Sequence, residues 1–242
     1  MKILGLDSSG IVASVAIVED ENLIAEYTVN YKKTHSQTLL PMLDELVKMT
    51  ELDLDTIDAI AVAAGPGSFT GLRIGSATAK GLGLALKKPL VEIPTVDALA
   101  YNLYDSRALI CPIMDARRSQ VYTGIYRFQE HKLVTVEAQM AVPMAEMIEK
   151  LNARGEEVVF LGDGVPVFGK MIQENLKVPY SFAPAHVNKQ RAAAVAALGE
   201  NYVKEGKIVT AMEHVPEYLR VSQAERERAQ KLQEEKASEK NS

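Results

Sequence analysis

The chain has 242 residues, of which 47% are hydrophobic and 24% are charged, as in an ordinary soluble globular protein. Its net charge of −5 disfavours a protein that grips nucleic acid by itself, because such proteins usually carry a basic face. We therefore expect any contact with RNA to be secondary. The single cysteine, Cys111, excludes an intramolecular disulfide and a zinc site built from paired cysteines.

The amino terminus and the hydropathy pattern favour a cytoplasmic protein without a membrane partner. The apolar run after Lys2 stops at Asp7, which makes it too short for the core of a signal peptide. No segment approaches the roughly 18 apolar residues that a membrane-spanning helix needs.

The first part of the chain predicts the element order βββαβαβα from its hydrophobic periodicity and turn residues. The predicted strands are Lys2–Leu6, Ile11–Val18, Leu23–Val29, Ala59–Ala64 and Leu90–Ile93. The predicted helices are Ser36–Met49, a second that follows a glycine-rich turn and ends at about Leu86, and a third that opens with Thr95 as its N-cap. Three antiparallel strands followed by αβαβα is the ribonuclease-H-like arrangement.

The second part of the chain repeats this order. The predicted strands are Leu109–Met114, Gln120–Phe128, Leu133–Val136 and Val158–Leu161, with helices Ala145–Leu151 and from about Val165. We therefore predict an α/β protein of the actin-like (sugar kinase, Hsp70, actin) fold, with two tandem ribonuclease-H-like lobes of which the second is reduced. The predicted division is 1–106, 107–220 and a charged tail, 221–242, that forms a solvated helix or is disordered. A helix from Gln190 to Lys204 either closes the second lobe or crosses back to the first.

A glycine-rich segment from Ala64 to Gly75 is the most specific local feature. It departs from the dinucleotide-binding fingerprint, in which Glu92 would be the ribose-binding acid, because the glycines are spaced GxGxxxG. It lacks the lysine of a phosphate-binding P-loop. Two interpretations of the segment remain open. One is a turn that lets a strand and a helix pack closely, and the other is a contact with a partner protein. Arg73 and Phe69, the latter expected in an exposed loop, are the candidate contacts.

Two helices carry the pattern expected of a docking surface. Seven apolar residues of the helix Ser36–Met49 cover an arc of about 180°, wider than one sheet face needs. They are Leu39, Leu40, Met42, Leu43, Leu46, Val47 and Met49. In the next helix Gly75, Ala79 and Gly83 form a strip of small residues that favours close approach of another helix. Packing of both helices within the lobe is the alternative.

The sequence contains few recognisable catalytic motifs. The histidines, at positions 35, 131, 186 and 214, form no HxxxH or HExxH pair, and no GxSxG elbow is present. Asp7, Ser8 and Ser9 end the first strand, where the aspartate either faces a nucleotide and its magnesium or caps a turn.

Six segments together resemble the TsaB (YeaZ) family. They are ILGLDSS from Ile3, HSQTLLPML from His35, AGPGSFTGLRIG from Ala64, DARRSQVY from Asp115, LGDG from Leu161 and PEYLR from Pro216. The resemblance implies a non-catalytic dimerization subunit required for threonylcarbamoyladenosine modification of adenosine 37 in ANN-decoding tRNA. Such a subunit forms a dimer with itself, or it uses the same helices to bind and activate the catalytic subunit TsaD. The complex also includes the ATPase subunit TsaE. It contacts tRNA only indirectly.

The resemblance also assigns roles to residues of this chain. It implies no catalytic residue, no metal and no cofactor of its own, and it leaves open ATP or ADP at the interface with the catalytic partner. The interface set is His35, Leu39, Met42, Leu43, Leu46, Ser68, Phe69, Leu72, Arg73, Gly75, Ser76, Ala79, Leu82, Gly83 and Leu86. The alternatives are a glycoprotease-like peptidase and a stand-alone nucleotide-binding switch that uses Asp7, Ser8 and Ser9.

Overall fold

The computed structural model describes residues 1–31 and 35–220 as two five-stranded sheets with helices on their faces. The strands are β1 Lys2–Asp7, β2 Ala13–Glu19, β3 Asn22–Val29, β4 Ala59–Gly65, β5 Leu90–Pro94, β6 Leu109–Asp115, β7 Gln120–Gln129, β8 Lys132–Pro143, β9 Val158–Leu161 and β10 Tyr180–Phe182. The helices are α1 His35–Thr50, α2 Phe69–Leu86, α3 Thr95–Tyr101, α4 Met144–Arg154, α5 Val165–Asn175 and α6 Ala192–Lys204, with a short 3₁₀ turn at Leu54–Thr56. The predicted charged tail, 221–242, lies outside the described residues.

The two sheets share one strand order, which confirms the internal duplication. The first is β3-β2-β1-β4-β5 and the second is β10-β9-β6-β7-β8, so each places its third, second, first, fourth and fifth strands side by side. The strand β10 was not predicted, and β8 ends at Pro143, seven residues after its predicted end at Val136. Both misses lie at the edges of the second sheet, where side chains are only partly buried and the hydrophobic alternation is weak.

The first sheet is covered on both faces. Helices α1 and α2 pack on one face, where the core includes Leu4, Leu6, Leu39 and Leu43. Helix α6 packs on the other face, where Val195 and Ala196 join the core, and Gly5 of β1 lies against the first turn of α6. The chain after Gln190 therefore crosses back to the first lobe, although it follows the second lobe in sequence.

Helix α3 lies between the lobes and packs on both sheets. Its residues Val96 and Leu99 share a core with Ile110 and Met114 of the second sheet. Tyr126 of β7 donates a hydrogen bond to Asp97 of α3 at 2.7 Å. A short helix thus carries most of the packing that fixes the lobes relative to each other.

The predicted N-cap of α3 is wrong. Thr95 is the first helical residue, Pro94 occupies the cap position, and no side chain caps this end. The preceding residue is proline, whose fixed φ suits entry into a helix without a capping hydroxyl. Thr95 is fully buried, and its hydroxyl oxygen has no partner within the described part of the chain.

None of the helices in residues 1–31 and 35–220 is long and apolar enough to cross a membrane.

We expect Leu99→Ala to destabilise the whole protein, because Leu99 is 1% exposed in the contact between the lobes. Truncating a buried leucine costs about 2–5 kcal/mol of unfolding free energy. Urea denaturation measures this cost. The matched control is Val167→Ala, since Val167 is 57% exposed and an exposed change is expected to cost within about 0.5 kcal/mol. Equal effects of the two variants would contradict the assigned role of α3.

Candidate functional site

A cleft with a volume of about 510 Å³ opens between the two lobes. Its walls are the segments that follow the carboxyl ends of strands in both sheets, which is where open α/β sheets usually bind ligands. These lining residues include Ser9, Gly10, Gly67, Ser68, Asp115, Arg117, Tyr122, Asp163 and Lys189. The cleft is therefore the first place to test the predicted nucleotide contacts.

Asp7 does not face this cleft. Its side chain is 1% exposed, and one carboxylate oxygen accepts hydrogen bonds from the Ser9 amide at 2.9 Å and the Ser9 hydroxyl at 2.7 Å. The other oxygen has no partner among the described residues. Burial raises the pKa of the Asp7 carboxyl to about 6, and the Ser9 hydrogen bonds and His35 only partly oppose this rise. These contacts are the ones that the turn-capping interpretation of Asp7 predicts.

Ser8 and Ser9 are likewise buried, at 2% and 0% exposure. The Ser8 hydroxyl donates a hydrogen bond to the Gly71 carbonyl at 2.9 Å. Its one proton is therefore already engaged and is not available for a hydrogen bond to a phosphate oxygen. Ser9 reaches the cleft lining, but its hydroxyl and amide are both committed to Asp7. The hydroxyls of Ser8 and Ser9 are therefore both engaged in hydrogen bonds within the protein.

The glycine-rich segment packs directly on this turn. A Cβ atom on Gly67 would overlap the Ser9 carbonyl oxygen, and one on Gly71 would overlap the Ser8 carbonyl oxygen. The Ser68 amide donates to the same Ser9 carbonyl at 2.6 Å. The motif therefore needs glycine because two backbone segments touch, as the packing interpretation predicts. Glu92 is no ribose ligand, since it is bonded to the buried His214 at 2.7 Å.

The charged groups of the cleft were not selected as site residues from the sequence. Asp115 forms an ion pair with Arg117 at 3.1 Å, and its amide donates to Asp163 at 3.2 Å. Burial raises the pKa of the Asp163 carboxyl. The sequence does contain a signal for the two aspartates as site residues. Each of them ends or follows a predicted strand, Asp115 in the segment DARRSQVY and Asp163 in the segment LGDG. Lys189 lies in a loop without such a signal.

Most of the predicted interface residues are buried inside the first lobe. The buried members are Leu39, Met42, Leu43, Leu46, Leu72, Gly75, Ser76, Ala79 and Gly83. Gly75 lies against Ser8, and Gly83 lies against Leu90. The strip of Gly75, Ala79 and Gly83 is therefore packed within its own lobe, and its interpretation as a docking strip is wrong. Helical periodicity located a close contact but could not tell which neighbour makes it.

The remaining predicted residues lie at or near the surface. Ser68 is the exposed N-cap of α2, and its hydroxyl accepts from the Gly71 amide at 3.3 Å. Nε2 of His35 lies 2.8 Å from the Gly10 carbonyl oxygen. Leu82 and Leu86 are partly buried.

Phe69 is the first residue of α2 and does not lie free in a loop. The Arg73 guanidinium lies 4.0 Å above its ring, and the Tyr218 ring lies 4.6 Å from it.

The outer side of the same two helices leaves apolar side chains uncovered. Leu40 and Met49 of α1 are 51% and 78% exposed, and Leu84 of α2 is 58% exposed. Ala77, Gly81 and Ala85 of α2 are exposed at four-residue spacing. We call Ala77, Gly81, Leu84 and Ala85 of α2, which lie within about 100° of one another around the helix axis, the exposed helical face. A Cβ on Gly81 would meet no atom within 4 Å, so packing inside the lobe does not require this glycine.

The described residues provide few groups for catalysis. They contain no cluster of three or more His, Cys, Asp or Glu side chains that could hold a metal ion. Cys111 is buried, and burial raises the pKa of its thiol to about 12.

Comparison with known proteins gives one consistent family. Residues 22–228 match the family described as tRNA N6-adenosine threonylcarbamoyltransferase, TsaD. The chain is 35% identical to the tRNA threonylcarbamoyladenosine biosynthesis protein TsaB of Bacillus subtilis over 93% of this chain and 96% of that protein. The structure of YeaZ from Pseudomonas aeruginosa matches with a TM-score of 0.77 and 26% identity, over 90% of this chain and 99% of that one.

A more distant structure confirms the predicted fold class. The polyphosphate/ATP-glucomannokinase from Arthrobacter matches with a TM-score of 0.50 and 13% identity, over 84% of this chain and 99% of that one. At this identity the likeness shows the fold alone. The chain therefore has the actin-like, sugar-kinase type of architecture.

We expect the stability cost of the buried Asp7 to depend on pH. Burial disfavours the ionised form of Asp7 in the folded state. The free energy of unfolding therefore falls by about 3 kcal/mol as the pH rises from about 4 to above 6. Asp7→Asn removes this titration while keeping an oxygen for the Ser9 donors. Urea denaturation between about pH 4 and pH 8 should show the variant gaining stability relative to wild type as the pH rises. A pH-independent difference, or the same trend in the exposed control Asp55→Asn, would contradict this account.

We expect Ala79→Glu to prevent folding, because Ala79 is fully buried and the core offers its new carboxylate no partner. Burying an unpaired charge costs at least several kcal/mol. Circular dichroism and solubility measure the effect. The exposed Ala85→Glu in the same helix serves as the control and should fold normally. A folded Ala79→Glu protein would show that this face of α2 is not in the core.

Proposed function

Because this chain belongs to the TsaB (YeaZ) family, which has a role in the biosynthesis of threonylcarbamoyladenosine in tRNA, we propose that it is a non-catalytic subunit of this system. Its proposed task is to hold and activate a TsaD-type catalytic partner through the exposed helical face. In the absence of that partner the same face pairs two copies of the chain. A TsaE-type ATPase is the proposed third component.

The exposed helical face is the observation that carries this proposal. Leu84 of this face is 58% exposed, and the neighbouring helix α1 adds Leu40 and Met49, which are 51% and 78% exposed on its two flanks. Uncovered apolar area of this kind marks surfaces that bind other proteins. Gly81, whose Cβ position is open, gives a partner helix room for close approach.

The geometry of the nucleophile candidates argues against the peptidase alternative. The Ser68 hydroxyl accepts a hydrogen bond from Gly71 and has no histidine beside it among the hydrogen bonds of the described residues. His214 is buried against Glu92, and His35 faces the Gly10 carbonyl. A serine nucleophile needs an adjacent base, and none is assembled here within residues 1–31 and 35–220.

The burial of Asp7 also argues against a stand-alone nucleotide switch that uses this residue. We propose that the chain has no cofactor of its own and that any ATP or ADP is held jointly with the catalytic partner.

We expect Gly81→Glu to abolish partner binding while leaving the fold intact. The new side chain enters open space in the monomer, and glutamate is a better helix former than glycine. At a packed interface its charge would be desolvated, so association should weaken at least about tenfold, or 1.4 kcal/mol. Sedimentation velocity of the chain alone, and mixed with the TsaD-type protein of the same organism, measures this change.

The matched control is Gly169→Glu in α5, because Gly169 is also a helical glycine with no atom within 4 Å of its Cβ position. This variant should associate like wild type. Mass spectrometry of tRNA nucleosides from cells that carry either variant as the only copy adds a functional measurement. Loss of threonylcarbamoyladenosine with Gly81→Glu alone supports the scaffold. Normal association of Gly81→Glu would rule out this face as the interface, and wild-type protein that binds neither itself nor the partner would overturn the proposal.

A further inference from the structure

Four arginines and one lysine lie in the lining of the cleft or in segments next to it, on a protein whose net charge is −5. We call Arg73, Arg117, Arg118, Lys189 and Arg220 the cation rim. Arg117 and Lys189 line the cleft itself. Arg220 donates a hydrogen bond to the Ala116 carbonyl at 2.6 Å, which places its guanidinium beside the turn that carries Arg117 and Arg118.

Direct contacts join the rim across both lobes. The Arg73 guanidinium lies over the Phe69 ring, and the Phe69 ring contacts the Tyr218 ring. Tyr218 lies two residues before Arg220, and it is 37% exposed. The rim therefore combines separate cations with two aromatic rings in contact, tilted by 38° to each other.

The turn that carries Arg117 and Arg118 is strained. Arg117, Arg118 and Ser119 have φ values of 64°, 55° and 57°, so three consecutive residues other than glycine adopt the left-handed conformation. Each such residue costs roughly 1–2 kcal/mol. The turn is held by hydrogen bonds from the Arg117 amide to Asp115 and from the Met144 amide to the Ser119 carbonyl. Strain that the surrounding structure maintains is concentrated at functional sites.

The acidic groups near the rim are mostly engaged. Asp115 pairs with Arg117, and Glu217 accepts a hydrogen bond from the Gln139 amide. Asp163 accepts a hydrogen bond from the Asp115 amide at 3.2 Å. The Arg117 side chain is 84% exposed despite its ion pair, and Arg118 is exposed. These two arginines therefore remain available to an incoming anion.

We propose that the cation rim binds the phosphate backbone of RNA, with Arg117 and Arg118 as its main contacts and the Phe69–Tyr218 pair beside them as a surface for an unpaired base. Arginines bind phosphate oxygens through paired N–H groups, and aromatic rings bind unpaired bases by stacking. An acidic peptide would use the cations but would leave the aromatic pair without a role. The choice of RNA rests on the proposed function in tRNA modification, and it replaces the expectation that tRNA is contacted only indirectly.

The test is the double variant Arg117→Glu/Arg118→Glu. The probe is a fluorescein-labelled, unmodified tRNA transcript, and fluorescence anisotropy at several salt concentrations measures its binding to the chain alone and to the chain with its TsaD-type partner. We expect the variant to bind at least tenfold more weakly at low salt. A plot of log affinity against log salt concentration has a negative slope, and each lost phosphate contact makes this slope shallower by roughly 0.7–0.9. The slope of the variant should therefore be shallower by about 1.5.

The control is Lys170→Glu/Lys177→Glu, which makes the same change in charge on an exposed part of the second lobe away from the rim. It should retain tRNA binding. Equal losses in both double variants, or wild-type affinity in the rim variant, would overturn the proposal. Displacement of the tRNA by ATP at equal concentration would overturn it in favour of a nucleotide site. Sedimentation with the partner separates the two proposals, because the rim variant should still associate normally if only the RNA contact has failed.

Discussion

The close contact between the glycine-rich segment and the turn after the first strand is the constraint on which the rest of the site depends. Gly67 and Gly71 lie against the carbonyls of Ser9 and Ser8, where no larger residue fits. This contact accompanies the burial of Asp7 and fixes the start of α2 beside the cleft. The direction of α2, and therefore the position of its exposed helical face, follows from a contact between backbones.

The end of the described chain connects the two lobes around that contact. The Glu217 amide donates to the Ala64 carbonyl at 2.7 Å, and its carbonyl lies against Gly65. Tyr218 then packs on Phe69, and Arg220 reaches Ala116 of the second lobe. Arg73 of the cation rim and Ala77 and Gly81 of the exposed helical face follow one another at four-residue spacing on α2, so the two proposed surfaces adjoin along this helix.

Net charge averages over positions that only the fold separates. Although the net charge is −5, the fold brings cations from distant segments, at 73, 117–118 and 220, into one chain of contacts beside the cleft. The apolar arc on α1 is divided by the fold in the same way. Leu39 and Leu43 are buried, whereas Leu40 and Met49, at the two ends of the arc, are exposed.

The sequence by itself determined the order of the elements, the duplication and the family, because hydrophobic periodicity and the glycine and proline positions are local signals. It also located the glycine-rich contact and the strand-ending aspartates. Only the tertiary structure decided which side of each feature is buried. The strip of Gly75, Ala79 and Gly83 faces its own lobe, Asp7 is buried in the turn after β1, and α6 returns to the first sheet. Such outcomes depend on contacts between residues far apart in the chain, and a helical or strand period carries no information about which neighbour fills each face.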